Sequence, residues 1–142
     1  MISSYETPNC FLEPYDVPPP PKLLPVLERL KAAYILWSAY YKIFEKTRRY
    51  TLGAKIDGLF IDLIEAMAAG SFLPKSDKEP YIRTAIRKLD TLKILLLIAW
   101  ETNALDAKKY GALSKVLDDI GKQLGGWYGQ LKRNSPARAG EK

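Results

Sequence analysis

The amino-acid sequence predicts an all-α protein, an antiparallel up-down-up-down four-helix bundle. Apolar residues recur at spacings of three and four in four successive segments, which is the pattern of helices that bury one face. Glycine, proline and polar residues separate these segments, and none of the four shows the period-two alternation of strands. Because the separating stretches are short, we expect consecutive helices to run antiparallel.

The four predicted helices span about residues 22–48, 51–70, 79–102 and 106–132. Each apolar stripe follows a seven-residue repeat, which indicates packing along the length of a neighbouring helix. The predicted stripes are Leu23, Leu27, Leu30, Tyr34, Trp37, Tyr41 and Phe44; Leu52, Ile56, Leu59, Leu63, Ala66 and Gly70; Ile82, Ala85, Leu89, Leu92, Leu96 and Ala99; and Tyr110, Leu113, Leu117, Ile120, Leu124, Trp127 and Leu131. A polar junction is expected at Thr47–Thr51. Ser76 or Asp77 should cap the third helix, and Asp106 the fourth.

Residues 1–21 precede the helical domain, residues 22–133, as a proline-rich, acidic arm. Proline fixes φ and lacks an N–H donor, so the run Pro18–Pro21 disfavours a helix and favours polyproline II. We expect a flexible arm. The alternative is an arm that packs on a neighbouring subunit or a partner through apolar side chains such as Phe11 and Tyr15. Residues 134–142 are expected to form a flexible basic tail.

Charge is divided unevenly between the arm and the remainder of the chain. The arm carries three acidic residues and no basic residue, whereas the remainder carries all 22 basic residues and a net charge of +9. This balance favours polyanionic partners, although a merely solvated surface would give the same composition. The single cysteine, Cys10, and the lack of a signal-peptide pattern or a long apolar run predict a cytoplasmic protein that does not enter a membrane.

The sequence offers little catalytic equipment. It contains no histidine, a single cysteine and no P-loop pattern, so we expect no enzymatic activity, no metal site and no cofactor. The carboxylates of Asp57, Asp62 and Glu65 could act as an acid–base pair, as could Asp118 and Asp119, but surface ion pairing is the simpler role. Lys115 with Asp119 and Lys122 with Asp118 have the spacing of such pairs within a helix.

Basic residues recur along several of the predicted helices. Their spacing suits contact with nucleic-acid phosphates, and no base-reading motif accompanies them, so binding should follow backbone and shape. An ordinary charged solvent face is the alternative for any one of them. The candidate contacts to nucleic acid or to a polymerase are Arg48, Arg49, Lys55, Arg83, Arg87, Lys93, Lys115, Lys122, Lys132 and Arg133.

The third helix has more apolar surface than one bundle needs, because Ile94–Trp100 is apolar on every side. In the first helix, Val26 and Ala33 belong to a second apolar stripe, and the fourth helix carries five glycines that need a packing reason. We therefore expect a homo-oligomer; coverage of the third helix by loops and the arm is the alternative. The candidate interface residues are Leu95, Leu97, Ile98, Trp100, Gly121 and Gly125.

Two segments, residues 44–56 and 117–127, resemble one known family, with residues 89–99 between them. The family of four-helix proteins includes the accessory variability determinant (Avd) of diversity-generating retroelements and the proteins encoded in intervening sequences of bacterial ribosomal RNA genes. The Leu-Gly-Gly-Trp ending at Trp127, with Arg48 and Gly53, carries the resemblance, which covers about residues 23–132. Leu97 departs from it, because the family often has Arg there.

The resemblance implies a barrel-like homopentamer with a basic surface. It further implies a non-catalytic accessory subunit that binds nucleic acid, either template RNA or complementary DNA, and a reverse transcriptase, and that supports mutagenic complementary-DNA synthesis. Arg48, Arg49, Lys55, Lys93 and Lys122 are the contacts that the family pattern favours. The intervening-sequence branch implies instead a structural or protein-interaction module without a nucleic-acid role.

Overall fold

The structure, a computed structural model, describes residues 24–133. This part of the chain is all-helical, contains no strand and has four long helices, as expected for a helical bundle. We label them α1 (Pro25–Tyr41), α2 (Ala54–Ser71), α3 (Lys75–Glu101) and α4 (Ala107–Arg133). A short helical turn, Lys46–Arg48, and a π-helical turn, Arg49–Gly53, lead directly into α2. The predicted arm and tail, residues 1–21 and 134–142, lie outside the described residues.

Apart from Leu23, which lies outside the described residues, the predicted stripes form the core and its edge. Every predicted core residue of α3, from Ile82 to Ala99, is buried, and so are four on α4. Tyr34, Tyr41, Leu52, Tyr110, Trp127 and Leu131 pack against this core from its edge. Helix α1 contacts α2 and α4, and α3 contacts the same two helices. Buried hydrophobic residues outside the four predicted core stripes are Val26, Ala33, Phe60, Met67, Ala104 and Leu105.

The second apolar stripe of α1 is used within the chain. Val26 and Ala33 are 2% and 1% exposed, and Leu36 and Tyr40 pack against the core. The expectation that this stripe is surplus surface for another subunit is therefore wrong for these residues. Exposed apolar side chains lie elsewhere on the bundle: Ile35 of α1 is 61% exposed, and on α3 Ile94 is 55% and Ile98 is 40% exposed.

The first helix is shorter than the sequence pattern indicates. The apolar repeat continues through Phe44, but α1 ends at Tyr41, and the junction lies at residues 42–45 rather than at the predicted Thr47–Thr51. Phe44 keeps the phase of the repeat because it is buried from this junction against Trp37. The next turn starts where the Glu45 carboxylate accepts hydrogen bonds from the backbone N–H and the hydroxyl of Thr47. The Thr47 hydroxyl, above all, lowers the pKa of Glu45.

The remaining helix ends follow from local chemistry. Helix α3 begins at Lys75, with Pro74 as its N-cap, so Ser76 and Asp77 lie in its first turn instead of capping it. Asn103 has φ 64° and ends α3, and the N–H of Ala104 donates to the Ala99 oxygen at 2.8 Å. The prediction for α4 is confirmed, because the Asp106 carboxylate accepts a hydrogen bond from the Lys109 N–H at 2.8 Å.

Candidate nucleic-acid interface

The predicted basic contacts lie at three places in the structure: the turns before α2, the outer side of α3, and the outer side of α4 with its adjoining groove. These basic side chains differ in the number of hydrogen bonds and ion pairs that they form within the chain. A side chain that holds the fold together has less freedom to bind phosphate, so the internal partners of each group decide which ones are candidates.

Both arginines in the turns before α2 form hydrogen bonds or an ion pair within the chain. The Arg49 guanidinium donates to the backbone oxygens of Tyr41, at 3.1 Å, and of Lys42, and it lies 5.9 Å from the centre of the Tyr41 ring. Arg48 forms an ion pair with Glu45 at 2.9 Å. Lys55, by contrast, is exposed and forms no ion pair or side-chain hydrogen bond within the part of the chain that the structure describes. Of the three predicted contacts here, Lys55 is thus the available one.

Arg49 is held where the helix geometry needs it. The last carbonyls of α1 have no partner inside the helix, and the Arg49 guanidinium supplies donors to them. Lys78 does the same for α2, because its ammonium donates to the Gly70 oxygen at 2.8 Å. Both cations therefore complete a helix end, a role that spacing along the sequence does not reveal.

The outer side of α3 divides into a charged half and an apolar half. Arg83 and Arg87 are exposed near its start; Arg83 pairs with Glu79 at 3.3 Å, whereas Arg87 has no side-chain partner among residues 24–133. Further along the same side, Ile94 and Ile98 are exposed. Because Glu79 and the exposed Asp90 share the charged half with the two arginines, Arg87 is the group there that remains for an anionic partner. The apolar half suits a protein surface.

A charged groove lies between helices α3 and α4. Its centre is an ion pair between Lys93 and Asp118, 3.2 Å apart, which crosses from one helix to the other. The predicted pairing of Asp118 with Lys122 along α4 is therefore replaced by a pairing across helices. The groove has a volume of about 340 Å³. Its lining includes Asp90, Lys93, Asp118, Gly121, Lys122 and Gly125.

The two interface glycines predicted on α4 differ in their surroundings. A Cβ built on Gly121 would lie 3.3 Å from the Leu89 side chain and 3.2 Å from the Lys93 ammonium, so Gly121 permits the close approach of α3 within the chain. A Cβ on Gly125 would meet no atom within 4 Å. Gly121 thus has a packing reason inside the bundle, and Gly125 presents open surface.

The outer face of α4 carries a row of lysines, Lys108, Lys115 and Lys122, which we call the lysine ridge. They are seven residues apart and all exposed, and within the described residues their side chains form no ion pair. Two turns of helix separate consecutive members by about 10 Å. Arg133 extends this face at the end of α4, while Lys132 lies 5.4 Å from the Tyr128 ring.

The other predicted interface residues are partly accessible. Leu95 packs against the core and Leu97 is half-buried. Trp100 is 39% exposed and stacks on Tyr110 with 4.9 Å between ring centres. Three of the candidate carboxylates have structural partners: Asp57 accepts hydrogen bonds from Tyr34 and Trp37, Asp62 pairs with Lys88, and Asp118 pairs with Lys93. Residues 24–133 hold no group of three or more potential metal ligands, and within them no helix is long and apolar enough to span a bilayer.

The arrangement can thus bind anions by charge: Lys55, Arg87, Lys115 and Lys122 are exposed cations without a side-chain partner in the described part of the chain. Lys93 joins them if Asp118 is displaced or screened. Comparison of the chain with protein-family models, with curated proteins and with solved structures gives no match in any of the three. Its functional reading rests on these side chains and on the sequence resemblance.

Proposed function

We propose that this protein is a non-catalytic accessory subunit of the Avd type, which binds template RNA or complementary DNA and a reverse transcriptase in the cytoplasm and so supports mutagenic complementary-DNA synthesis. The observation that carries the proposal is the lysine ridge of α4, a row of exposed cations without ion-pair partners among the described residues. The resemblance of residues 44–56 and 117–127 to the Avd family supports the same function.

The ridge suits contact with the phosphates of a nucleic acid. Its cations repeat at about 10 Å, and flexible lysine side chains adapt to the variable spacing of a nucleic-acid backbone. Contacts of this kind bind by charge and shape and read no base. An RNA template and its DNA copy would both satisfy them.

The proposed assembly is a homopentamer of antiparallel up-down-up-down bundles. Contacts between α2 and α3 support the antiparallel order, because Asp62 lies against Lys88 while Gly70, further along α2, lies against Tyr81, earlier in α3. The exposed Ile94, Ile98 and Trp100 on α3 are available to a neighbouring subunit. A pentamer would place five lysine ridges on one particle and strengthen binding by multivalency.

The test is a titration of labelled structured RNA and matched DNA with the purified protein across a salt series. We compare Lys122→Glu with Lys31→Glu, an equal change in charge at an exposed lysine of α1. Each phosphate contact contributes about 0.9 to the slope of log K against log salt for duplex DNA. We expect Lys122→Glu to weaken binding and flatten the slope, and Lys31→Glu to change little. Equal effects of the two variants would remove the ridge from the interface.

The intervening-sequence branch supplies a second candidate, a structural or protein-interaction module. What favours it is that Arg48, Arg49 and Lys93 are engaged inside the chain, together with the exposed apolar half of α3. In this case the protein would oligomerise but would bind neither nucleic acid at low salt nor a reverse transcriptase. A pull-down with the reverse transcriptase encoded nearest the gene separates the two candidates.

A further inference from the structure

A second groove lies between α1 and α4, next to the point where the chain enters α1. It has a volume of about 350 Å³ and is lined mainly by apolar atoms. Leu24 and Pro25 form one wall, and Gly126 and Trp127 form the other, with Lys122 and Gln123 at one end. A groove of this size is comparable to a small ligand site.

The α4 wall of the groove has open space in front of Gly126. A Cβ built on Gly126 would meet no atom within 4 Å, although glycine in a helix costs roughly 0.5–1 kcal/mol relative to alanine. The Trp127 ring is half-buried, and the Lys78 ammonium lies 5.6 Å from its centre. The Trp127 ring thus lies beside an apolar groove.

We infer that the groove holds the protein's own proline run, Pro18–Pro21, and that the acidic arm continues from there along the lysine ridge. The run ends three residues before Leu24, so the covalent connection brings it to the groove. Polyproline II segments bind aromatic-lined grooves in many proteins because they lose little conformational entropy. Trp127 with Gln123 supplies an aromatic surface and a polar side chain of the kind that such segments contact.

Charge and length both suit the continuation of the arm. Asp16 and Glu13 precede Pro21 by about 16 and 25 Å at the rise of polyproline II. Lys115 and Lys108 lie about 10 and 21 Å from Lys122, which lines the groove. At these rises the two carboxylates would meet the two lysines in matching order. The arm carries three negative charges and no positive charge, and the three lysines form no ion pair among the described residues.

Docking of the arm would regulate access of nucleic acid to the lysine ridge. The arm and a nucleic acid would compete for the same lysines, so docking of the arm would weaken binding until nucleic acid displaces it. If the arm covers the ridge about nine-tenths of the time, the apparent affinity falls about tenfold. This consequence rests on the proposed function, whereas the docking itself does not.

The docking is tested in the full-length chain by a nitroxide attached to Cys10, the single cysteine. Gly111 lies on the ridge face and Gly58 lies on α2, and a Cβ at either would meet open space. We expect the nitroxide to broaden the amide signal of Gly111 and to spare Gly58. Replacement of Pro18–Pro21 by serine, which changes no charge, should restore the Gly111 signal, and Pro8→Ser should not. Equal broadening at both glycines, or none at Gly111, would overturn the inference.

A mixed sample decides which chain supplies the arm. Isotope-labelled protein without nitroxide is combined with nitroxide-bearing protein without isotope, and the Gly111 signal should then stay sharp. Broadening in this sample would assign the arm to a neighbouring subunit and overturn docking on its own chain. RNA titration of the serine variant gives a separate answer: about tenfold tighter binding supports competition. Loss of Gly111 broadening with no RNA binding by either protein would contradict the proposed function and leave the docking intact.

Discussion

Tyr41 and Arg49 are joined by two hydrogen bonds that run in opposite directions. The Tyr41 hydroxyl donates to the Arg49 backbone oxygen at 3.2 Å, and the Arg49 guanidinium donates to the Tyr41 backbone oxygen at 3.1 Å. The pair closes the end of α1 against the π-helical turn that starts at Arg49. Because each bond joins one side chain to the backbone of the other residue, the pair holds the two ends of the junction at residues 42–45 together.

Removal of the Tyr41 hydroxyl or of the Arg49 guanidinium should destabilise this junction. We expect Tyr41→Phe to destabilise the protein by about 0.5–1.5 kcal/mol, the net worth of one hydrogen bond, while the ring still packs on Trp37. Arg49→Met should cost more, because it also leaves two carbonyls without their donor. Urea unfolding measures both. Tyr50→Phe is the control, since Tyr50 is 83% exposed and should not change stability; a similar loss there would contradict the assignment.

Gly53 and Gly58 form a matched pair for the same region. A Cβ on Gly53 would lie 2.7 Å from the Tyr41 ring, so Gly53→Ala must displace the ring and should cost about 1–3 kcal/mol. A Cβ on Gly58 meets no atom, and Gly58→Ala should stabilise α2 by about 0.5–1 kcal/mol. Thermal unfolding of the two variants should therefore shift in opposite directions. Stabilisation by both would show that the π-helical turn tolerates a side chain.

Much of the fold could be predicted because burial repeats with the helix. The seven-residue stripes identify the core of α3 and most of that of α4, and Asp106 identifies the start of α4 from capping chemistry alone. The end of α1 could not be predicted in this way. Phe44 keeps the helical phase while the backbone has already left the helix, so the apolar pattern continues through the break.

The site was less predictable, because charge along the sequence does not show which partner a side chain meets. Arg49 has the spacing of a phosphate contact, yet its donors go to carbonyls of α1. Asp118 has the spacing to pair with Lys122, yet it reaches Lys93 on another helix. Lys115 and Lys122 were found from sequence because exposed residues of one helix face recur at its own period.

Asp57 should be the most important carboxylate for stability. One of its oxygens accepts hydrogen bonds from the Tyr34 hydroxyl at 3.0 Å and from the Trp37 indole at 3.1 Å, and burial, with this bond, raises the pKa of Tyr34. Asp57→Ala leaves the indole N–H of a fully buried Trp37 without its acceptor, which should cost about 1–3 kcal/mol. Asp62→Ala breaks a half-exposed pair with Lys88 and should cost about 0–1 kcal/mol. Equal losses in urea unfolding would contradict this ranking.

Asp106 should make stability depend on pH in the acid range. Its hydrogen bond from the Lys109 ammonium, and then that from the Lys109 N–H, hold the pKa of Asp106 below its usual value. The stabilisation is therefore complete above the usual aspartate pKa and is lost as the pH falls through the lowered value. Asp106→Asn keeps a cap that does not titrate. The melting temperature of this variant should therefore fall less than that of the wild type when the pH is lowered from neutral through the range in which carboxyl groups titrate, about pH 4. If the melting temperatures of Asp106→Asn and of the wild type fall equally, Asp106 does not provide this stabilisation.

The pair Lys93–Asp118 offers a way to strengthen nucleic-acid binding by removing an acid. In Asp118→Asn, Lys93 loses its charged partner in the α3–α4 groove and becomes available to phosphate beside Lys122. Asp119→Asn changes the net charge by the same amount, but Asp119 pairs with no basic residue among those the structure describes. We expect Asp118→Asn to bind RNA more tightly and to steepen the salt dependence by up to about one additional contact, and Asp119→Asn to raise affinity less and leave the slope unchanged. If the two variants behave alike in the salt series, Lys93 does not contribute to the interface and net charge alone governs binding.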